Sequence, residues 1–171
     1  IPVEDLLGGK EGPASEETYM RTVSSIESSS HTMGVARAAF DAAVKFANER
    51  VQGGKPIIQH QAVQNTLAEL YVALQAGRTL LWRTAWTSTY KEPDAALAGA
   101  CKVFCAEATR KITQGAMELF GGVGVMRDLP VQKYVRDSLI MLHHAGGTQS
   151  MVKLKIGKTL ESRYQQGLPV V

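Results

Sequence analysis

Apolar positions recur at helical spacing along three long stretches of the chain. The first extends from about Ser15 to Arg50, the second from about Ile58 to Ser88, and the third from about Glu92 to Phe120. Apolar residues three and four positions apart fall on one face of an α-helix, so each stretch predicts an amphipathic helix. At about 1.5 Å per residue, each helix would span roughly 40–50 Å.

Glycine and proline mark where these helices end and where two further helices begin. The run 53–56, Gly-Gly-Lys-Pro, ends the first helix, and the glycines within 121–124 end the third. Pro130 opens a fourth helix that is predicted to continue to about His144. Thr148 is a natural N-cap for a fifth helix that ends near Tyr164.

Together these elements predict an all-α protein, an up-down bundle of long antiparallel helices joined by short glycine-rich loops. Residues 1–14 are predicted to be a linker and residues 15–171 to be the helical bundle domain. No strand is expected after the first few residues. We expect Gly34, Ala38 and Ala42 to lie at close contacts between helices.

The composition is that of an ordinary globular protein, with 20% charged and 44% hydrophobic residues among 171. A net charge of +3, with its charges interspersed, argues against nucleic acid as a partner. No apolar run approaches the roughly 20 residues that span a bilayer, so no membrane span is predicted. The first residues carry no secretory signal, so the protein is not expected to be secreted. Because Ile1 stands where a start Met would be, we expect the chain to be part of a longer one.

Two side-chain pairs have simple structural interpretations. Cys101 and Cys105 are four residues apart and are predicted to be buried free thiols on one helix face. A zinc site would need two more ligands at close spacing, so no metal site is predicted. Trp82 and Trp86 lie one turn apart, and we expect them in the core or an interface rather than in a stacking platform.

Three segments are candidates for binding a ligand. Arg50 ends the first helix, where a guanidinium can bind a phosphate or cap the last helix carbonyls. The glycines within 121–124 would let a ligand approach the backbone, or would only end a helix. Gly146, Gly147 and Thr148 would present free backbone N–H groups to a carbonyl or phosphate oxygen. None of these segments identifies a function by itself.

Their order and spacing resemble the C-terminal helical domain of the acyl-CoA dehydrogenase family. The opening residues, Ile1 to Gly8, look like the end of the β-domain that precedes it in that family. The resemblance covers essentially the whole chain, and this chain would form roughly the last two-fifths of a typical member. The motifs that carry it are Glu49-Arg50 with Gly54, His60-Gln61, Leu67-Ala68-Glu69-Leu70, Leu119-Phe120-Gly121-Gly122 with Gly124, Arg136-Asp137 and Gly147-Thr148.

The resemblance implies a bundle that builds an oligomer core and completes an FAD site. Arg50 and Gln61 match positions that contact the FAD of a neighbouring subunit, with Arg50 near the pyrophosphate. Gly121 and Gly122 match the loop at the adenosine side of FAD, and Thr148 matches a residue at the edge of the cofactor. Gln52 and Glu118 complete the predicted cofactor-binding set; Glu118 stands where the family usually has glutamine, and Gly53 stands where it has an aromatic residue.

The resemblance also shows where a catalytic base is missing. Most family members use a glutamate directly before Gly-Thr, and that position is Gly146 here, or Ala145 in the other register. A minority use a glutamate on the first helix of this domain, and that position is Ser24. The nearest carboxylate, three residues further on, is Glu27, which is the remaining candidate for the base.

Three functions therefore stay open. The first is an acyl-CoA dehydrogenase that carries out α,β-desaturation with a displaced base and passes electrons to an electron-transferring flavoprotein. The second is a base-lacking subunit of an oligomer, or a flavoprotein with different chemistry such as a monooxygenase. The third is a helical assembly module without FAD. The family further implies fatty acid metabolism, a homo- or hetero-oligomer that is a dimer or tetramer, and a location in the cytoplasm or mitochondrial matrix.

Overall fold

The structure is a computed structural model that describes residues 14–91, 93–141, 143 and 147–170. The predicted linker lies outside these residues except for Ala14, and so do Ala145 and Gly146. The all-α prediction is confirmed: five helices dominate the described chain. They are α1 (Ala14–Glu49), α2 (Gln61–Tyr90), α3 (Ala95–Phe120), α4 (Val131–Met141) and α5 (Gln149–Gln165).

A short hairpin between α1 and α2 corrects the expectation of no strand in this region. Strand β1 (Val51–Gln52) pairs antiparallel with β2 (Lys55–Pro56), and a single helical turn at Ile57–Gln59 leads into α2. Gly53 and Gly54 form the connection with φ of +62° and +80°. Two consecutive positive φ values are typical of the type I′ turn that suits a two-residue hairpin loop.

Helices α1 and α3 run parallel, and α2 runs antiparallel to both. Near the middle of α1 and α3, the Thr109 hydroxyl donates to the Thr32 carbonyl over 3.2 Å. Further along both helices, Phe46 stacks on Phe120 with ring centroids 4.1 Å apart. The opposite direction of α2 follows from its contacts with α3. Gly77 accepts from the thiol of Cys105, whereas the earlier Leu70 lies against Gly115.

Helices α4 and α5 pack one after the other along α3, antiparallel to it, and together take the position of a fourth helix in the bundle. The Thr113 hydroxyl of α3 donates to Ser138 of α4 over 3.1 Å. Nearer the start of α3, α5 is held by two ion pairs, Lys153–Glu107 at 2.8 Å and Arg163–Asp94 at 2.7 Å. The helix directions therefore agree with the predicted up-down arrangement.

The face of α1 that enters the core differs from the predicted one. Gly34 is exposed, and no described atom beyond its own helix lies within 4 Å of where its Cβ would be. Ala38 and Ala42 are only half-buried, and of the two only Ala42 packs against the core. The fully buried small side chains form a neighbouring stripe: Ala36, Ala39, Ala43 and Ala47.

The predictions for the cysteine pair and for the tryptophan pair have different outcomes. Cys101 and Cys105 are buried free thiols, as predicted, with their Sγ atoms 3.9 Å apart. The hydrogen bond with Cys101, together with burial, raises the pKa of the Cys105 thiol. Trp82 and Trp86 are 65% and 52% exposed, so they do not belong to the core of this chain.

The described residues contain neither a helix that could span a membrane nor a cluster of metal-binding side chains. No helix in this part of the chain combines the length and the apolar character that crossing a bilayer needs. No cluster of three or more His, Cys, Asp or Glu side chains in it is arranged to hold a metal ion.

Candidate cofactor site

Four of the predicted cofactor-binding residues meet at one cleft, although they lie about seventy positions apart in the sequence. Arg50 and Gln52 come from the end of α1 and the hairpin, and Gly121 and Gly122 come from the end of α3. The cleft is open to solvent and has a volume of ≈ 400 Å³. Its other lining residues are Phe46, Ile57, Leu119, Phe120 and Val123.

The parallel arrangement of α1 and α3 creates this cleft, because both helices end on the same side of the bundle. The stacked rings of Phe46 and Phe120 hold the two helix ends together. The hairpin then folds back, so that the Ile57 N–H donates to the Arg50 carbonyl over 2.8 Å. The Arg50 N–H in turn donates to the Phe46 carbonyl over 2.8 Å. Both peptide groups of Arg50 are therefore fixed at the rim of the cleft.

The Arg50 guanidinium is exposed and forms no hydrogen bond or ion pair with any other described residue. It therefore does not cap the last carbonyls of α1, which was the alternative interpretation of this residue. Its neighbour Glu49 is directed to Lys45, one turn earlier, at 4.0 Å. The positive charge at the rim is thus free to meet an anion, and a planar guanidinium suits a phosphate.

The glycines opposite Arg50 have distinct roles. Gly121 ends α3 with a φ of +61°, which glycine adopts at little cost. At Gly121 and Gly122, no described atom lies within 4 Å of an added Cβ, so the backbone is open towards the cleft. At Gly124, an added Cβ would lie 2.8 Å from the Met117 carbonyl oxygen. Two glycines therefore expose the backbone, and the third is required for packing.

The remaining predicted cofactor residues lie elsewhere on this chain. Gln61 is the first residue of α2 and is exposed. Thr148 is the N-cap residue of α5, is exposed, and forms no side-chain capping bond. Glu118 is exposed on another face of α3, where it lines a second open cleft between α2 and α3 with Arg110 and Lys111. Within one chain, the structure therefore does not bring these three residues to the Arg50 cleft.

The positions for a catalytic base differ in their surroundings. Gly146 and Ala145 lie outside the described residues. Ser24 is half-buried and lines a pocket between the starts of α1 and α3 and the middle of α5, with a volume of ≈ 250 Å³. Glu27 is exposed and does not line that pocket. Ser24, at the first-helix base position, thus lines a pocket but carries a hydroxyl group instead of a carboxylate.

Among the lining residues of this pocket that the sequence did not predict, Lys102 stands out by its burial. Lys102 of α3 is only 6% exposed and lines the pocket together with Ser24 and Lys155. Burial, and then the charge of Lys155, lower the pKa of Lys102. The only signal in the sequence is a lysine within the otherwise apolar run Gly99 to Cys105.

Comparisons with known proteins agree with this architecture. A family profile described as "Acyl-CoA dehydrogenase, C-terminal domain" matches residues 23–161. The benzylmalonyl-CoA dehydrogenase of Aromatoleum aromaticum is 37% identical over 95% of this chain and 43% of its own length. The mitochondrial short-chain specific acyl-CoA dehydrogenase of Bos taurus is 33% identical over 95% of this chain and 39% of its own length.

Solved structures give the same picture. The butyryl-CoA dehydrogenase of Megasphaera elsdenii superposes with a TM-score of 0.82 at 27% identity, over 89% of this chain and 40% of that one. The chain thus spans about two-fifths of the length of the relatives that it matches. Three findings identify the family: a profile match over most of the chain, relatives above 30% identity, and the same helical arrangement. The chain belongs to the acyl-CoA dehydrogenase family and corresponds to its C-terminal domain.

Proposed function

We propose that this chain is the C-terminal part of an FAD-dependent acyl-CoA dehydrogenase-like flavoprotein that carries out α,β-desaturation of an acyl-CoA thioester. In this role residues 15–171 bind part of FAD and build the oligomer, and residues 1–14 connect to a preceding β-domain. The observation that carries the proposal is the convergence of Arg50, Gln52, Gly121 and Gly122 on one cleft. An electron-transferring flavoprotein is the proposed electron acceptor, as the family implies.

The chemistry of the cleft fits the pyrophosphate of FAD. Arg50 offers an exposed guanidinium with no partner among the described residues, and such a group makes charge-assisted hydrogen bonds with phosphate. Gly121 and Gly122 carry no side chains, and no described atom lies within 4 Å of an added Cβ at either position, so a ligand can approach the backbone there. Glu118 lies outside this cleft, so its carboxylate does not repel the phosphates there. When bound, FAD supplies the oxidising power for desaturation.

A second copy of the chain is part of the proposal, because the two candidate regions lie at opposite ends of α1. Ser24 is near the start of this continuous helix, and Arg50 directly follows its end. With a rise of about 1.5 Å per residue, the two positions are roughly 40 Å apart. An extended FAD molecule is shorter than this distance. A complete centre would therefore combine the Arg50 cleft of one subunit with the Ser24 pocket of another, in a homotetramer or a related oligomer.

A specific observation favours a second candidate function, a base-lacking subunit. Gly146 and Ala145 carry no carboxylate, and Ser24 places a hydroxyl group at the first-helix position. Glu27, the nearest acidic residue, does not line the Ser24 pocket. In this alternative the chain binds FAD and assembles with a catalytic partner, or its flavin serves different chemistry.

The test uses the purified full-length protein and three substitutions. Wild-type protein should show the visible absorbance of bound flavin, and an acyl-CoA should bleach it anaerobically if the subunit desaturates its substrate. Arg50→Ala should weaken FAD binding by roughly tenfold to a hundredfold, the equivalent of one or two charge-assisted hydrogen bonds. Arg50→Lys should recover only part of the loss, because an ammonium lacks the planar fork. Arg37→Ala, which removes an exposed arginine elsewhere on α1, is the matched control and should leave FAD binding unchanged.

The outcomes separate the candidate functions. A protein that holds no flavin would leave only the assembly module. Flavin that is bound but not reduced by any acyl-CoA would favour the base-lacking subunit. Equal FAD affinity in wild type and Arg50→Ala would remove Arg50 from the cofactor site.

A further inference from the structure

The outward face of α2 carries a stripe of exposed, uncharged residues. Their positions follow one another at steps of three or four residues, so they lie on one side of the helix. The buried leucines of α2 lie on the opposite side, against the rest of the bundle. This outer stripe consists of Ala68, Tyr71, Gln75, Thr79, Trp82, Trp86 and Tyr90.

The composition of the outer stripe is that of an interface rather than of a solvated helix face. The exposed face of a helix usually carries charged side chains, but none of these seven residues is charged. Tryptophan and tyrosine are enriched in the centres of protein interfaces, where charged residues are rare. The rings are also held in place by their neighbours. Trp86 and Tyr90 are in contact with ring centroids 6.0 Å apart, and the Arg78 guanidinium lies 5.5 Å from the centroid of Trp82.

The area of the outer stripe is large enough for two copies of the chain to associate. Its four aromatic side chains are 51–73% exposed. Because a buried tryptophan or tyrosine covers about 150–250 Å², these four offer roughly 500 Å² per chain. Two copies would bury roughly 1,000 Å² through their aromatic residues alone, and stable interfaces begin at about 1,200 Å². The other residues of the stripe supply the difference.

The order of side-chain sizes along α2 fits a second copy that runs antiparallel. The first half of the outward face presents the smaller Gln64 and Ala68, and the second half presents Trp82 and Trp86. Two α2 helices paired antiparallel about their midpoints place the large rings of one copy opposite the smaller side chains of the other. A two-fold axis, the commonest symmetry of homo-oligomers, makes both halves of such a contact equivalent.

The charges beside the outer stripe fit the same arrangement. Glu69 and Arg83 flank it on one side and lie nearly equally far from the midpoint of α2. An antiparallel two-fold pair therefore brings Arg83 of one copy near Glu69 of the other. The Glu69 side chain remains 69% exposed beside its ion pair with Lys111, so a second cation can approach it.

We propose that the outer stripe of α2 binds the outer stripe of a second copy of this chain, with the two helices antiparallel. This inference rests on the proposed function, in which a complete centre needs two copies, and it assigns one face through which copies associate. It also gives a role to Trp82 and Trp86, which the fold leaves outside the core.

The first experiment measures the self-association of the full-length flavoprotein by sedimentation equilibrium. Trp82→Lys introduces a cation into the contact from both copies, and it should weaken association by at least about a hundredfold, as expected for a tryptophan hot spot that occurs twice. Tyr164→Lys is the matched control, because it removes an 81% exposed ring from α5, outside the stripe, and should leave association unchanged. Both side chains are exposed, so both variants should keep the far-UV circular dichroism of the wild type.

The second experiment identifies what lies on the outer stripe. A photoreactive benzophenone amino acid in place of Tyr90 should join two chains covalently, with the cross-link near Gln61 of the second copy. A cross-link within one chain, or to a different protein, would overturn the inference and leave the proposed function intact. Association of Trp82→Lys as tight as that of the wild type would also overturn it. A wild-type protein that is monomeric would remove both the inference and the proposed two-copy centre.

Discussion

Substituting Gly124 by alanine should destabilise the end of α3 through a direct backbone collision. The new Cβ would lie 2.8 Å from the Met117 carbonyl oxygen and 3.0 Å from the Cβ of Phe120. Neither atom belongs to a flexible side-chain end, so the turn after α3 has to move. Overpacking of this kind typically costs about 1–3 kcal/mol. For a domain of this size, that corresponds to a melting temperature lower by about 2–12 °C.

Gly122→Ala is the matched control, because it adds the same methyl group two positions earlier. At Gly122 no described atom lies within 4 Å of the new Cβ, and the φ angle is not in the left-handed region. We expect its free energy of unfolding to change by less than about 0.5 kcal/mol. If FAD lies against this backbone, the same methyl group should still weaken flavin binding.

Both variants are compared with wild type in the full-length protein, by far-UV circular dichroism melting and by flavin retention after gel filtration. Gly124→Ala should lower the melting temperature, whereas Gly122→Ala should affect only the flavin. A Gly124→Ala protein as stable as the wild type would refute the reasoning, because the turn would then relax around the methyl group at no cost.

Three other predictions concern the bundle itself. Burial opposes ionisation of Asp94, but hydrogen bonds from the Leu97 N–H and the Arg163 guanidinium hold the pKa of this carboxyl below its ordinary value of 3.8. Asp94→Asn should therefore lower the free energy of unfolding by up to about 1 kcal/mol at neutral pH. This difference from wild type should shrink as the pH falls below 3.8. Thermal melts that show a difference independent of pH would contradict the prediction. Ile112→Ala removes a fully buried side chain and should cost about 2–5 kcal/mol in urea unfolding, and a loss below 1 kcal/mol would show that the site is loosely packed. The two buried thiols should react with a thiol reagent only as the protein unfolds, so rapid labelling of the native protein would argue against their burial.

The helices could be predicted from the sequence where the side chains differ sharply in size and polarity. In α2, Leu67, Leu70, Leu74 and Leu81 recur at helical spacing, and all four are buried. In α1 the small residues occupy two adjacent stripes, and the spacing alone does not decide which of them faces α3. The hairpin was missed for a different reason: strands of two residues are too short to show alternation, and Gly53 and Gly54 are equally suitable as a helix stop.

Residues of the cofactor cleft could be predicted from the sequence, but their proximity in the fold could not. Taken singly, Arg50 and Gly121 are ordinary helix-end residues. Only the order of the family motifs predicted that both belong to one cofactor site. Their proximity depends on α1 and α3 being parallel, which follows from packing rather than from local pattern. Lys102 could not be found at all, because a lysine stem fits an apolar helix face and its charged neighbour Lys155 lies on α5.

The unbroken length of α1 has a genetic consequence for the proposed assembly. A change at its start, near Ser24, and a change just past its end, at Arg50, would damage different centres of the same oligomer. If two such defective chains assembled together, some centres would contain both changes and others would contain neither. Co-expression of the two variants should therefore restore part of the activity that each lacks alone.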